Sequence, residues 1–160
     1  MNSWRRVGLI GAALVCCVPT SEGAAAAPTL HLARSASNAW VDLAAVRGHK
    51  PSVLVFWRTD CAPCLLELRN LPQLERAARP GRLVLIALQP RQELEQGLKG
   101  LGPVQTWRAI EDPANVLIRF GGKPPALPLA VALDPLGKVC RVRHGLLGRN
   151  IVAEWIKACA

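Results

Sequence analysis

Hydrophobic and polar positions fall in blocks whose spacing changes from one segment to the next. Ser52 to Trp57 (SVLVFW) is apolar almost without interruption, the pattern of a strand covered on both faces. From Ala62 to Ala78 the spacing turns helical, with Leu65, Leu68, Leu71 and Leu74 recurring every three residues beside Leu66 to make one apolar face. Pro72 lies inside that helix and predicts a kink, and Arg79-Pro80-Gly81 ends it. Arg82 to Leu88 (RLVLIAL) is a second buried-type strand, and Pro90 to Leu98 a short helix closed by Gly100 and Gly102. Val104 to Ile110 predicts a further strand, and Pro113 to Phe120 a helix ending at Gly121-Gly122. After the loop KPPALP, Leu129 to Leu133 (LAVAL) is a strand that Asp134-Pro135-Leu136-Gly137 turns back into Lys138 to Arg143. Asn150 to Ala158 forms the last helix, while Pro28 to Lys50 is irregular apart from a short strand near Thr29 to Ala33. Strand–helix alternation followed by a hairpin predicts an α/β domain with a mixed central sheet and helices on both faces.

The first residues follow a different logic. Arg5 and Arg6 precede an uncharged apolar run of 12, Val7 to Val18, and small residues follow from Gly23 to Ala27. That is the layout of a secretory signal, and the run is short for a spanning helix, which needs roughly 20 apolar residues. Residues 1–27 are therefore expected to be a signal peptide cleaved near Ala26, with an uncleaved membrane anchor as the second option. Lipid attachment at Cys16 or Cys17 is disfavoured, because Val15 stands where a lipoprotein signal wants a small residue. Residues 28–160 make one domain, which would work in the periplasm or on the extracytoplasmic face of a bacterial inner membrane, where cysteine pairs stay oxidised.

Composition narrows the function. At 51% hydrophobic residues the 160-residue chain can bury a core without disulfides to hold it. The charge is +9, but its 20 Lys and Arg are scattered and no aromatic residues interleave with them. That implies a soluble basic surface and no nucleic-acid site.

The chemistry concentrates in Cys61-Ala62-Pro63-Cys64. Cys61 falls where the strand Ser52 to Trp57 has ended and the helix begins, so free N–H groups and the positive end of the helix dipole favour a thiolate there. Its pKa is expected below the roughly 8.5 of a free cysteine. Cys64, one turn on, is close enough to form a disulfide with it, and Pro63 is tolerated in a first helical turn. A purely structural crosslink this short would remove little chain entropy. A zinc half-site would need a second paired motif, which the single Cys140 and Cys159 do not supply. The placement predicts a redox pair.

The segment FWRTDCAPCLLEL resembles the active site of thioredoxin-fold proteins, in particular the extracytoplasmic thiol-disulfide oxidoreductases of the TlpA/ResA/DsbE type. Phe56-Trp57 before the pair, the CxPC core, Glu67 three residues after Cys64, and Leu127-Pro128 ahead of a strand ending in Asp134 and turning at Gly137 carry the resemblance. It extends from about Trp40 to the C-terminus. It implies a thioredoxin-like fold in which Pro128 is the cis-proline facing the sulfurs and Leu127 offers its backbone to an extended client. A trans proline starting a strand is the alternative, with Pro124 and Pro125 as competitors for the role. Glu67 would exchange protons with the Cys64 thiol, or else be a solvated helix residue. Trp57, Ala62 and Pro63 would line the client-binding surface. Asp60 departs from the family, which usually has an aromatic residue there. A carboxylate removes a flat docking surface and opposes the thiolate unless Arg58 offsets it, which makes Cys61 less acidic than in a typical relative. The alternative is an exposed carboxylate without a role.

The implied activity is thiol-disulfide exchange without a cofactor. The partners are client proteins with cysteine pairs, such as apocytochromes c or copper-site proteins, and a membrane electron donor; the membrane itself enters only through an uncleaved anchor. A copper(I) chaperone using the same two thiolates, and a non-catalytic scaffold, are the alternatives. Cys140 and Cys159 either form a second, structural disulfide or remain packing thiols. His31, His49 and His144 show no shared metal spacing, and Trp107 and Trp155 are expected as core or edge anchors.

Overall fold

A computed structural model describes residues 25–34 and 39–160. The expected signal peptide falls outside the described residues, except for its last three positions. Among the described residues no helix is long and apolar enough to cross a membrane.

The centre is built by the strands that the apolar runs predict. β3 (Ser52–Trp57) runs parallel to β4 (Arg82–Ala87), and β6 (Leu129–Leu133) lies antiparallel on the other side of β3, all five of its residues buried. Five residues at once can be buried only if both sides of a strand are covered, and successive side chains of β3 do point into two separate cores. Val53, Val55 and Trp57 face one core, with Leu85, Ala87, Ala130 and Ala132. Leu54 and Phe56 face the other, with Val84, Ile86, Leu129, Val131 and Leu133. Each fully buried Val, Leu or Phe contributes about 1.5–3 kcal/mol.

The first core is closed by α2 (Ala62–Arg69), α3 (Leu71–Ala77), α4 (Arg91–Leu98) and α6 (Arg149–Ala158), which supply Cys64, Leu68, Leu71, Leu74, Leu94, Val152 and Trp155. The second is closed by α1 (Leu43–Arg47) and α5 (Pro113–Gly121), through Leu43, Val46, Val116, Leu117 and Phe120. With β1 (His31–Arg34), β2 (Trp40–Asp42), β5 (Trp107–Ala109) and β7 (Val139–His144) the sheet has seven strands in the order β2-β1-β5-β4-β3-β6-β7. The mixed sheet with helices on both faces is as expected.

The structure corrects three local expectations. The helix foreseen over Ala62 to Ala78 is two helices separated at Asn70. Pro72 has no N–H to continue the ladder, so the chain restarts: the Asn70 carbonyl accepts from Gln73 and Leu74 N–H, and the proline sits in the new first turn. The strand foreseen over Val104 to Ile110 forms only at Trp107–Ala109, where β1 and β4 are both within pairing reach. Within Pro28 to Lys50, β2 and α1 are additional elements. Trp40 is 57% exposed on β2, edge-on to the His31 ring at 4.8 Å. Trp155 is a core anchor and Trp107 is half-buried, with Arg34 5.4 Å above its ring.

Candidate active site

Where β3 stops, the chain makes the bend Arg58-Thr59-Asp60 and enters α2 with Cys61 as its N-cap residue. The bend is anchored from the neighbouring strand end. Leu88 N–H donates to the Trp57 carbonyl at 2.9 Å, Thr59 N–H to Gln89 Oε1 at 2.7 Å, and Gln89 Nε2 to Thr59 Oγ1 at 2.8 Å. Gln89 is 4% exposed, a buried amide whose two ends are both engaged by Thr59. These bonds fix where α2 starts, and so where the first sulfur stands.

Cys61 and Cys64 form a disulfide with their Cα atoms 5.2 Å apart. The two sulfurs are not equivalent. Cys64 has no solvent exposure, whereas Cys61 is half-buried. Cys61 Sγ also accepts the Cys64 N–H at 3.3 Å, the capping bond that a helix start offers to an electron-rich atom. Ala62 and Pro63 lie exposed around the pair.

Asp60 does not act on Cys61 as an isolated charge. Arg58 Nε and Nη2 donate to its two carboxylate oxygens at 2.8 and 3.0 Å, and this hydrogen bonding holds the carboxyl below its ordinary range. The same bonds raise Arg58, whose Nη1 also donates to the Leu88 carbonyl at 3.0 Å. Asp60 is thus the exposed half of a forked ion pair fastened to Leu88, just beyond β4, and the offset by Arg58 foreseen from the sequence is present.

Glu67 is 5% exposed, so it is not a solvated helix residue. Its Oε1 accepts the Leu147 N–H at 2.5 Å, from the loop that leads into α6. Burial pushes its carboxyl up to about 7, against the smaller downward pull of that hydrogen bond. A small cavity of about 220 Å³, lined by Leu66, Asn70, Leu146 and Gly148 among others, lies at this side chain.

The register Phe56↔Leu129 places Pro128 beside Trp57, at the rim from which the cysteine loop departs. The Leu127–Pro128 bond is cis. Arg79–Pro80 and Lys123–Pro124 are cis as well. Leu127 is half-buried and packs with Cys61 against the core that contains Cys64. Among the described residues no hydrogen bond engages the Leu127 backbone, while the Pro128 carbonyl accepts from Gly145 N–H at 2.9 Å.

Trp57 requires a correction. It has no exposure, so it does not contact a client. Its Nε1 donates to Thr106 Oγ1 at 3.1 Å, and Thr106 is itself buried at 7%. Trp57 is the floor under the cysteine loop. Sequence reasoning missed Gln89, Thr106 and Leu147, and an uncharged polar residue at the end of an apolar strand, as at Gln89, is the one signal that pointed to any of them.

A putative thiol:disulfide interchange protein DsbE from Chlorobium tepidum superposes with a TM-score of 0.68 at 20% identity, over 85% of this chain and 96% of that one. The fold is thioredoxin-like. A second Chlorobium tepidum chain, described as a thiol:disulfide interchange protein of the thioredoxin family, gives 0.63 at 19% identity over 86% and 97%. StoA from Bacillus subtilis gives 0.61 at 18% identity over 82% and 98%. No family model and no curated protein matches the sequence. In this thioredoxin-like frame Cys61 and Leu127 pack against the core that contains Cys64, Pro128 stands at the Leu129 end of β6, and Glu67 lies one helical turn beyond Cys64. Among the described residues no group of three or more His, Cys, Asp or Glu is placed to hold a metal ion.

Proposed function

We propose that this protein is an extracytoplasmic thiol-disulfide oxidoreductase that reduces disulfides in selected client proteins. The asymmetry of the cysteine pair carries the reading: Cys61 is half-buried at a helix start, and Cys64 is wholly enclosed. In the reduced enzyme the Cys61 thiolate, held by the Cys64 N–H, attacks one sulfur of a client disulfide and expels the other as a thiolate. Cys64 then gives up its proton and attacks Cys61 Sγ, releasing the second client thiolate. Two electrons have passed to the client and the Cys61–Cys64 disulfide has formed. Glu67 supplies a proton acceptor near the enclosed thiol, its carboxyl poised at about 7. Leu127 offers an unpaired backbone edge to an extended client segment beside Pro128.

Reduction as the net direction, a membrane electron donor, and clients such as apocytochromes c or copper-site proteins are supported by the resemblance of the CAPC segment. Location outside the cytoplasm is supported by the leader-like pattern of residues 1–27. The test is a Cys64→Ser variant expressed with its leader. It should accumulate disulfide-linked complexes with client proteins that reductant dissolves, whereas Cys61→Ser should accumulate none. Equal recovery with both variants, or none with either, would refute the assignment.

A further inference from the structure

A second pair of cysteines lies outside this site. Cys140 sits on β7 and is half-buried; Cys159 caps α6 and is 3% exposed. Both are thiols in this structure. They are far apart in sequence, but α6 packs against β7, and Cys140 packs against the same core that contains Cys159. Burial, and after it the neighbouring Cys140 side chain, pushes the Cys159 thiol up to about 12.

We infer that Cys140 and Cys159 are the two halves of a structural disulfide that staples the C-terminal helix to the last strand of the sheet. Placement separates this pair from the catalytic one. Pro128 and the cysteine loop adjoin the Leu129 end of β6, whereas Cys140 stands at the opposite end, beside the irregular pairing between Ala132 and Leu133. At about 3.4 Å per residue the two ends of β6 are on the order of 14 Å apart. Cys61 therefore cannot exchange with Cys140 in its own molecule.

The oxidant is an external protein disulfide of the oxidising compartment. The more accessible Cys140 attacks it as thiolate and expels one thiolate from it. Cys159, losing its proton, then attacks Cys140 Sγ and expels the second. The pair loses two electrons and two protons, and the oxidant becomes a dithiol. The bond closes a much longer loop than Cys61–Cys64 does, which is where crosslinking constrains an unfolded chain more. β7 is the last strand in the sheet order and α6 the last helix, so both elements have reason to be tied.

The test equilibrates the purified full chain with oxidised glutathione, alkylates free thiols, and maps peptides without reduction. The expected result is a dominant peptide pair joined through Cys140 and Cys159. Recovery of the two as alkylated thiols, as glutathione adducts, or in links between separate copies would overturn the inference. Stability gives a second readout. Oxidised Cys140→Ser should melt about 10 °C below oxidised wild type, and the gap should close under reductant. Client reduction should persist in that variant, and equal melting in the oxidised state would overturn the inference.

Discussion

Replacing Glu67 with glutamine gives the sharpest energetic test of the site. The folded protein holds the Glu67 proton to about pH 7, against 4.5 for the free side chain. The folded state thus binds this proton more tightly than the unfolded chain does. The resulting stabilisation is complete below about pH 4.5 and is lost as pH rises through about 7. The difference between the two values corresponds to about 3 kcal/mol at full ionisation. Glutamine keeps the carbonyl that accepts from Leu147 N–H and carries no charge to bury. Urea denaturation of the oxidised proteins, in which Cys61 and Cys64 do not titrate, should show the two equally stable near pH 4.5. Glu67→Gln should be about 2–3 kcal/mol more stable than wild type at pH 8. Curves that run parallel across this range would refute the reasoning, since they would mean that Glu67 ionises as freely in the fold as in water.

Other expectations follow from single contacts. Asp60→Asn removes the nearer of the two carboxylates paired with Arg58, leaving it only Glu93 at 3.8 Å, so Cys61 alkylation should shift to lower pH; an unmoved profile would show that Asp60 does not act on the sulfur. Thr106→Val strands the buried Trp57 N–H and should cost about 1–3 kcal/mol in denaturant midpoint analysis, with no change expected if a water replaces the hydroxyl. Cys61→Ser should abolish client reduction altogether, and residual turnover would shift the role of nucleophile to Cys64.

The parts of this architecture that were legible in the sequence are those where a single segment carries its own signal. β3, β4 and β6 are buried on both faces, and so appear as unbroken apolar runs. The placement of CAPC at a strand-to-helix junction needed only the change of period around it. Partnerships across the fold left no such trace. Glu67 accepts from a backbone amide 80 positions away, and apart from its place three residues after Cys64 nothing local distinguishes it from the exposed Glu75 on the following helix. Trp57 looked like a docking surface because of its position beside the cysteines, although the two-sided burial of its strand already argued for an enclosed side chain. β2 and α1 span three and five residues, too few for either period to declare itself. The break at Asn70 was foreseen as a bend because a proline inside a helical pattern is compatible with both outcomes.

The central claim is that Cys61 and Cys64 cycle between dithiol and disulfide in place of serving as a fixed crosslink. A redox titration against glutathione or dithiothreitol, with the pair's oxidation state counted by alkylation and mass spectrometry, tests it directly. The account predicts a reversible two-electron transition between roughly −270 and −120 mV. A pair that stays oxidised below about −300 mV, as structural disulfides do, would contradict it.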